Sequence, residues 1–300
     1  MVKVLVLMST YNGSRYLKQQ LDSILSQQDV EIYCLIRDDG STDATLEILN
    51  TYKRKNAHIE IFTGNNIGYK QSFFELINKA GKFDYYAFSD QDDLWLNNKL
   101  YVATEKIKSS EIPTLYFSNC YLTDENLVKT GLLHPSGKVK VPEQEMAITQ
   151  GFVHGCTMVV NYASMKIIKS NIPKITVAHD YWIPLLHVYL GKIVYDPEPC
   201  ILYRQHQTNV FGVNKSIYTI ITTKFRELKD ESNFYSKVIS EILAGYKDQL
   251  DSTLQNKLFK ILSLNTKISG RLKLCMHPLL KRNTIKGTLF LKFQILSGRF

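Results

Sequence analysis

The first half of the chain alternates between two patterns of apolar positions. Short apolar runs of strand length lead into segments in which apolar residues recur every three or four positions, as in amphipathic helices. The predicted strands are 2–8, 31–36, 59–63 and 85–89, and the helices between them carry Leu17, Leu21, Ile24 and Leu25, then Leu46, Leu49 and Tyr52, then Phe73, Phe74, Ile77 and Ala80. Because short connections join these elements, right-handed crossovers are expected to build a mostly parallel sheet with helices on both faces.

The pattern changes in the second half of the chain. We predict strands over 114–122, 154–160 and 201–204 and helices over 162–170 and 180–189. Beyond residue 215 the pattern turns helical, with one apolar face over 234–250 and another over 254–262. The sequence therefore predicts an α/β domain over 1–214 and a helical region over 215–300.

Composition narrows the class of protein. The chain has 300 residues, of which 44% are hydrophobic and 22% are charged, so it is expected to be globular rather than disordered or collagen-like. Its first eight residues predict a strand rather than a signal peptide, and no apolar run reaches the ~18 residues of a membrane span. The five cysteines are scattered without a zinc-site spacing, so we expect free thiols and a cytoplasmic protein.

Charge divides the chain unevenly. Residues 215–300 hold 16 Lys and Arg against 6 Asp and Glu, a net charge of +10, and no acidic residue follows Asp251. The Lys and Arg residues alternate with Leu, Ile and Phe, which is typical of a helix lying on an anionic bilayer. Nucleic acid is not an expected partner, because no stacking motif or known reader element is present.

Three polar clusters follow the first, second and fourth predicted strands: STYNG at 9–13, DDGSTD at 38–43 and SDQDD at 89–93. Ligands of such sheets bind beyond the carboxyl ends of the strands, so the clusters are expected to share one rim. Two carboxylates about 5 Å apart repel by roughly 3 kcal/mol at an effective dielectric of about 20. Water, a helix start or a cation could offset that repulsion in the third cluster. No GxGxxG or GxxxxGK loop is present to bind phosphate, which favours a divalent cation.

Taken together, STYNG, DDGSTD and SDQDDLW resemble the motifs of the inverting family 2 glycosyltransferases, which have the GT-A fold that binds nucleotide-diphosphate sugars. The resemblance spans roughly residues 1–210. It implies that Thr10 and Tyr11 contact the nucleotide base and that Asp39 accepts from the pyrimidine imide N–H. It also implies that Asp90 faces the ribose or sugar and that Asp92 binds Mn²⁺ or Mg²⁺.

Two later motifs extend the resemblance. AHDYW at 178–182 is similar to the family element that carries the catalytic base, which makes Asp180 the expected base. Such a carboxylate takes the proton of the attacking hydroxyl. YRQHQTN at 203–209 resembles the element that closes the site, which implies a diphosphate contact for Arg204 and a metal contact for His206.

The expected function is therefore metal-dependent transfer of a sugar from a nucleoside diphosphate donor to a bacterial glycan or lipid-linked acceptor at the inner membrane face. The form of the motifs is most similar to bacterial rhamnosyltransferases, which favours dTDP-rhamnose over a UDP-hexose. A nucleotidyltransferase and a catalytically silent nucleotide-binding module are the alternatives from other classes. Structural alternatives also exist for single motifs: 38–43 as a turn with a helix cap, Asp92 and Asp93 as a helix start, and Asp180 as a helix N-cap.

Overall fold

The computed structural model describes residues 1–206 and 233–300, and a seven-stranded sheet forms the centre of the described part. The strands of the chain are β1 (Val2–Thr10), β2 (Val30–Asp38), β3 (Ile59–Thr63), β4 (Tyr85–Ser89), β5 (Leu94–Trp95), β6 (Thr114–Ser118), β7 (Tyr121–Thr123), β8 (Lys129–Leu132), β9 (Met158–Asn161), β10 (Lys192–Asp196) and β11 (Ile201–Arg204). The central sheet has the order β10-β6-β9-β4-β1-β2-β3, and β9 alone runs antiparallel to its neighbours. The prediction of a mostly parallel sheet is confirmed.

Helices cover both faces of this sheet. The helices within residues 1–206 are α1 (Leu17–Leu25), α2 (Thr45–Lys55), α3 (Tyr69–Lys79), α4 (Lys99–Ile107), α5 (Gln144–Ala147), α6 (Tyr162–Ser170) and α7 (His179–Leu190). Alternate residues of β1 point into two separate apolar cores: Leu5 and Leu7 pack with α3, α6 and α7, whereas Val4 and Val6 pack with α1, α2 and α4. Burial on both faces explains why β1 is a continuous apolar run.

A second, four-stranded sheet corrects one sequence prediction. The predicted strand 114–122 is two strands, because the chain turns at Asn119 between β6 and β7. The Asn119 side chain accepts hydrogen bonds from the backbone of Cys120 and His134 and donates to the His134 carbonyl, replacing ladder bonds at this corner. The second sheet has the order β5-β11-β7-β8 and brings β11 beside the residues that follow β4.

The strand predicted over 154–160 is also shorter than expected. Residues Gly155–Thr157 form a turn of 3₁₀ helix, and β9 begins at Met158. This turn places Gly155 against the first turn of α7, where a Cβ at residue 155 would lie 2.6 Å from His179 Nε2. The backbone therefore leaves the strand conformation where it must pass close to the His179 ring.

Residues 233–300 are helical, as predicted, with α8 (Phe234–Tyr246), α9 (Ser252–Asn265), α10 (Ile268–Met276) and α11 (Ile285–Leu296). Val238 and Ile242 of α8 belong to the same apolar core as α3, α6 and α7. The helical region therefore packs on the α/β core. The predicted boundary at 214/215 lies outside the described residues. Within 1–206 and 233–300, no helix combines the length and apolar character needed to cross a bilayer.

The five cysteines carry no disulfide. Cys34, Cys120, Cys156 and Cys200 are buried, and Cys275 is half-buried. The expectation of free thiols is confirmed.

Candidate active site

The carboxyl ends of β1, β2 and β4 meet at one rim of the central sheet, as the three polar clusters predicted. Thr10 pairs with Asp38 across β1 and β2, and Met8 pairs with Ser89 across β1 and β4. A cavity of about 620 Å³ opens beyond these ends, a size typical of small-molecule sites. It is lined by Ser9, Tyr11, Asn12, Asp39, Asn66, Gly68, Tyr69, Phe73, Asp90, Gln91, Asp92, Gly155, His179, Asp180, Tyr203 and His206.

Asp39 lies on the cavity wall as half of a buried ion pair. Its Oδ1 accepts from the Arg37 guanidinium and from the backbone N–H of Ile67 at 2.9 Å, and its Oδ2 accepts from the N–H of Gly68 at 2.8 Å. The side chains of Arg37 and Asp39 are 6% and 3% exposed. A carboxylate has about four acceptor sites, so one site on Oδ2 remains for a donor in the cavity.

Side-chain hydrogen bonds build the loop around Asp39 and connect it to the start of α2. Asp38 accepts from the backbone and the hydroxyl of Ser41 and from the Thr10 hydroxyl, while Asp43 accepts from the backbone of Thr45 at the start of α2. Gly40 has φ +83°, a backbone conformation that favours glycine. The simple turn-and-cap alternative for 38–43 therefore does not account for Asp39, which faces the cavity.

The two residues predicted to contact the base lie in different environments. Tyr11 is 46% exposed and lines the cavity, whereas Thr10 is buried, donates to Asp38 Oδ2 at 3.0 Å and is not among the lining residues. Gln91 fixes the Tyr11 backbone with two hydrogen bonds: its Oε1 accepts from Tyr11 N at 2.9 Å, and its Nε2 donates to Tyr11 O at 3.0 Å. The sequence did not predict this pair of hydrogen bonds, which we call the Gln91 clasp. Its local signal is only an amide in the middle of an acidic motif.

The acidic cluster after β4 occupies the floor of the cavity. Asp90 and Asp92 line it, and Asp92 Oδ2 lies 2.8 Å from His206 Nε2. Burial, together with the carboxylates of Asp92 and Asp180, raises the pKa of Asp90 well above its usual range. This arrangement gathers carboxyl groups whose mutual repulsion a cation could offset, and their oxygen donors suit Mn²⁺ or Mg²⁺.

Asp93 lies beneath this floor and does not start a helix, because α4 begins six residues later at Lys99. It is fully buried; its Oδ1 accepts from Arg204 N at 3.2 Å, and its Oδ2 has no hydrogen-bond partner among the described residues. Oxygens of Asp90 and Asp93 and the Cys156 sulfur lie within 4.8 Å of one another. Burial raises the pKa of the Cys156 thiol well above its usual range, so this group stays a thiol and is a poor ligand for a hard cation.

Arg204 is buried behind the cavity rather than in it. Its guanidinium donates to the backbone oxygens of Asp92 and Glu125 and to Gln19 Oε1, and it lies over the Tyr16 ring at 4.3 Å. These contacts connect β11 to the Asp92 loop and so hold His206 beside Asp92.

Asp180 lies in the first turn of α7 and lines the same cavity as Asp39. The N-cap of α7 is Ala178, so the N-cap alternative for Asp180 is wrong. Burial raises the pKa of Asp180 to about 6, although the backbone N–H groups of Asp180 and Gly155 and the charge of Lys70 oppose the shift.

His179, next to Asp180, is a wall residue whose role the sequence did not define. Its ring stacks on Phe73 with centroids 3.8 Å apart, and neither ring nitrogen has a hydrogen-bond partner among the described residues. Burial lowers the pKa of His179 to about 3, so the ring is neutral near pH 7.

Comparison with known proteins now identifies the family. The sequence profile of Glycosyl transferase family 2 matches residues 5–164. The dTDP-rhamnosyl transferase RfbG of Shigella flexneri is 30% identical over 272 residues, covering 84% of this chain and 88% of the relative. The chain belongs to glycosyl transferase family 2. This membership makes it a glycosyltransferase and sets aside the nucleotidyltransferase alternative.

Solved structures share the fold of this family 2 glycosyltransferase. TarS 1-349 of S. aureus in complex with UDP-GlcNAc has a TM-score of 0.58 at 15% identity, covering 99% of this chain and 89% of the other. The mannosyltransferase PcManGT of Pyrobaculum calidifontis, in complex with GDP-Man and Mn²⁺, has a TM-score of 0.51 at 13% identity, covering 98% and 86%. At these identities the likeness concerns the fold alone, and the predicted GT-A fold class is confirmed.

Proposed function

We propose that this glycosyltransferase moves rhamnose from dTDP-rhamnose, with inversion, to a hydroxyl of a bacterial cell-surface glycan or lipid-linked intermediate. One observation carries the proposal. A single cavity of about 620 Å³ joins Asp39, the Asp90–Asp92 cluster and Asp180. These are the groups needed to hold a nucleotide, to bind a cation that would offset the diphosphate charge, and to remove a proton. The name of the Shigella flexneri relative supports the choice of donor.

In this proposal the base lies between Tyr11 and Asp39. The remaining acceptor site on Asp39 Oδ2 takes the imide N–H of thymine or uracil. Both pyrimidines carry that donor, so a UDP-hexose is the second candidate donor, supported by the UDP-GlcNAc in the TarS complex. Thr10, predicted to contact the base, is instead proposed to support the loop through Asp38.

The metal-binding residues are proposed to be Asp92 and His206, whose Oδ2 and Nε2 atoms lie 2.8 Å apart and face the cavity. Asp90 is proposed to face the ribose or sugar. A bound Mn²⁺ or Mg²⁺ would offset the charge that develops on the departing diphosphate. Arg204, predicted to bind the diphosphate, is proposed to position Asp92 and His206, because its guanidinium already donates to three protein acceptors.

Asp180 is the proposed catalytic base. Its carboxylate accepts the proton of an acceptor hydroxyl while the hydroxyl oxygen forms a bond to the anomeric carbon and the bond from that carbon to the diphosphate breaks. Attack from the face opposite the leaving group inverts the anomeric centre. A pKa of about 6 leaves Asp180 ionised at pH 7 yet basic enough to take a proton.

The proposed acceptor, if lipid-linked, lies at the inner face of the cell membrane. The region 215–300, with its net charge of +10, is proposed to hold the enzyme on that anionic surface as a peripheral protein.

A thermal-shift titration tests the donor site. The purified protein is titrated with dTDP, UDP, GDP and CDP, each with and without Mn²⁺, and the series is repeated with Asp92→Ala. We expect dTDP to raise the melting temperature most, only with Mn²⁺ present and not in the variant. A larger shift with UDP would favour the UDP-hexose candidate, and equal shifts without Mn²⁺ would contradict the metal role.

A transfer assay tests the base. Asp180→Asn is expected to retain the dTDP and Mn²⁺ shift while losing at least about 100-fold in transfer rate, the scale of general-base catalysis. Near-normal transfer by a folded Asp180→Asn variant would make the base assignment wrong.

A further inference from the structure

The outer surface of the two final helices carries large apolar side chains in regular rows. On α10, Ile268, Leu272 and Met276 are four residues apart and so lie on one face. On α11, Ile285, Leu289 and Phe293 repeat the same spacing. All six side chains are between 51% and 81% exposed. We call these two rows the α10 stripe and the α11 stripe.

The stripes are not simply the outer side of ordinary amphipathic helices. On α11 the inner face is apolar too, since Leu291 and Ile295 are fully buried in the core. The described residues include fifteen exposed large apolar side chains, and six of them are in the stripes. Scattered exposed apolar residues need no explanation, but a concentration on one pair of helices indicates an interaction surface.

The two helices form an antiparallel pair. Cys275 of α10 donates to the Lys292 carbonyl of α11 at 3.5 Å, and Lys292 Nζ donates to the His277 carbonyl at 3.3 Å. At the other end, a Cβ on Gly298 would lie 2.6 Å from the Arg271 guanidinium. The stripes therefore belong to one small, well-packed unit rather than to separate segments.

The charge around the stripes favours lipid over protein. Exposed lysines lie beside them: Lys267 directly before α10, Lys273 on α10, Lys281 before α11 and Lys286 within α11. No acidic residue follows Asp251, whereas ten Lys and Arg do. A two-fold contact between copies would bring this basic surface of one copy against the same basic surface of the other, which is repulsive. An anionic bilayer instead offers apolar tails for the stripes and phosphates for the lysines.

We propose that the α10 and α11 stripes insert into the headgroup boundary of an anionic bilayer, with the flanking lysines at the lipid phosphates. This inference rests on the membrane contact proposed above and names the residues that make it. The helices lie in the plane of the membrane rather than across it. Apolar insertion predicts binding that persists partly in high salt, whereas a purely electrostatic contact would be lost.

Co-sedimentation with vesicles tests the proposal, using phosphatidylcholine with about one third phosphatidylglycerol. The stripe variant combines Leu272→Gln, Leu289→Gln and Phe293→Gln. A matched control combines Tyr101→Gln, Ile112→Gln and Val128→Gln, which are similarly exposed side chains far along the chain from the stripes. We expect the stripe variant to lose vesicle binding by about tenfold or more and the control to bind within about twofold of the original protein.

A second measurement does not depend on a variant that loses vesicle binding. Both native tryptophans, Trp95 and Trp182, are buried, so a tryptophan introduced by Ile285→Trp reports on its own surroundings. We expect its emission to shift to shorter wavelength on vesicle addition and to be quenched by brominated lipid tails. Emission that does not respond, although the protein co-sediments, would overturn insertion.

Other occupants of the surface give distinct results. If the original protein forms dimers and does not bind vesicles, and the stripe variant no longer forms dimers, the stripes contact a second copy of the chain and the membrane proposal is overturned. Unchanged vesicle binding by the stripe variant would overturn it as well. The vesicle assay contains no nucleotide sugar, so it tests the membrane proposal separately from the proposed function. Failed vesicle binding with normal sugar transfer to a soluble acceptor would reject membrane insertion alone. Vesicle binding without sugar transfer would reject the proposed function alone.

Discussion

Replacing Asp39 by Asn should destabilise the protein even before any nucleotide is considered. The substitution keeps the shape of the side chain and removes its charge, leaving the Arg37 guanidinium buried without an anion. Removing one partner of a buried ion pair costs about 3–5 kcal/mol. Arg37 keeps two acceptors, Ser72 Oγ at 3.2 Å and the Asn65 carbonyl at 3.1 Å, which places the expected cost near the lower end, about 3 kcal/mol.

The same substitution also disturbs the loop at 67–68. Asp39 accepts from the N–H groups of Ile67 and Gly68 on different oxygens, and an amide can offer only one oxygen. One buried N–H then faces an NH₂ group, a further cost of about 1–3 kcal/mol. The two costs together amount to about 4–6 kcal/mol, so the variant should remain folded at 25 °C unless the total stability lies at the lower end of the usual range of about 5–15 kcal/mol.

Urea unfolding followed by far-UV circular dichroism measures this cost. The double variant Arg37→Met with Asp39→Asn is the control, because it removes the unpaired charge. We expect the double variant to be more stable than Asp39→Asn alone by about 1–2 kcal/mol. A single variant within about 1 kcal/mol of the original protein, or a double variant with the summed cost of both substitutions, would refute the argument. If the argument holds, lost dTDP binding in Asp39 variants must be measured well below their melting temperature before it is ascribed to the base contact.

Three further outcomes are expected. If Asp180 is the base, kcat/KM should fall about tenfold for each pH unit below about 6 and be level above it, because only the carboxylate accepts a proton; a flat profile from pH 5 to 8 would count against it. Removing divalent metal with a chelator should abolish transfer and the nucleotide-induced thermal shift, Mn²⁺ should restore both, and Asp92→Ala should resist restoration. Gln91→Leu should weaken nucleotide binding several-fold, because it removes both hydrogen bonds that hold the Tyr11 backbone. Gly13→Ala should weaken binding in the same way, since the new Cβ would lie 2.1 Å from Gln91 Oε1. Normal binding in both variants would show that these hydrogen bonds do not position the base.

Much of the architecture was predictable because it depends on local patterns. A short, continuous apolar run such as β1 indicates a strand buried on both faces, and the three polar clusters were expected to meet because the ends of parallel strands share a rim. Asp39, Asp90, Asp92, Asp180 and His206 do line one cavity. The proximity of Asp39, Asp90 and Asp92 follows from the order of β1, β2 and β4, whereas Asp180 and His206 were expected at the site only from the family resemblance.

The contacts that hold these residues were not predictable, because each joins segments far apart in the sequence. Arg204 donates to Gln19, 185 positions away, and Gln91 clasps Tyr11 across 80 positions. The split of 114–122 into β6 and β7 likewise depends on Asn119 bonding to His134 in another segment. Nothing in a local window distinguishes an arginine that meets a diphosphate from one whose donors already have protein acceptors.

The last two helices show most directly which properties the sequence determines and which depend on the tertiary structure. The sequence by itself determined that the end of the chain is helical, apolar and strongly basic, since spacing and composition are local properties. Only the tertiary structure decided that Leu291 and Ile295 face the core while Ile285, Leu289 and Phe293 face outward. Both sets are apolar, so no difference in their own hydrophobicity could choose between them. The choice was made by the surface against which the helix packs, which is assembled from distant parts of the chain.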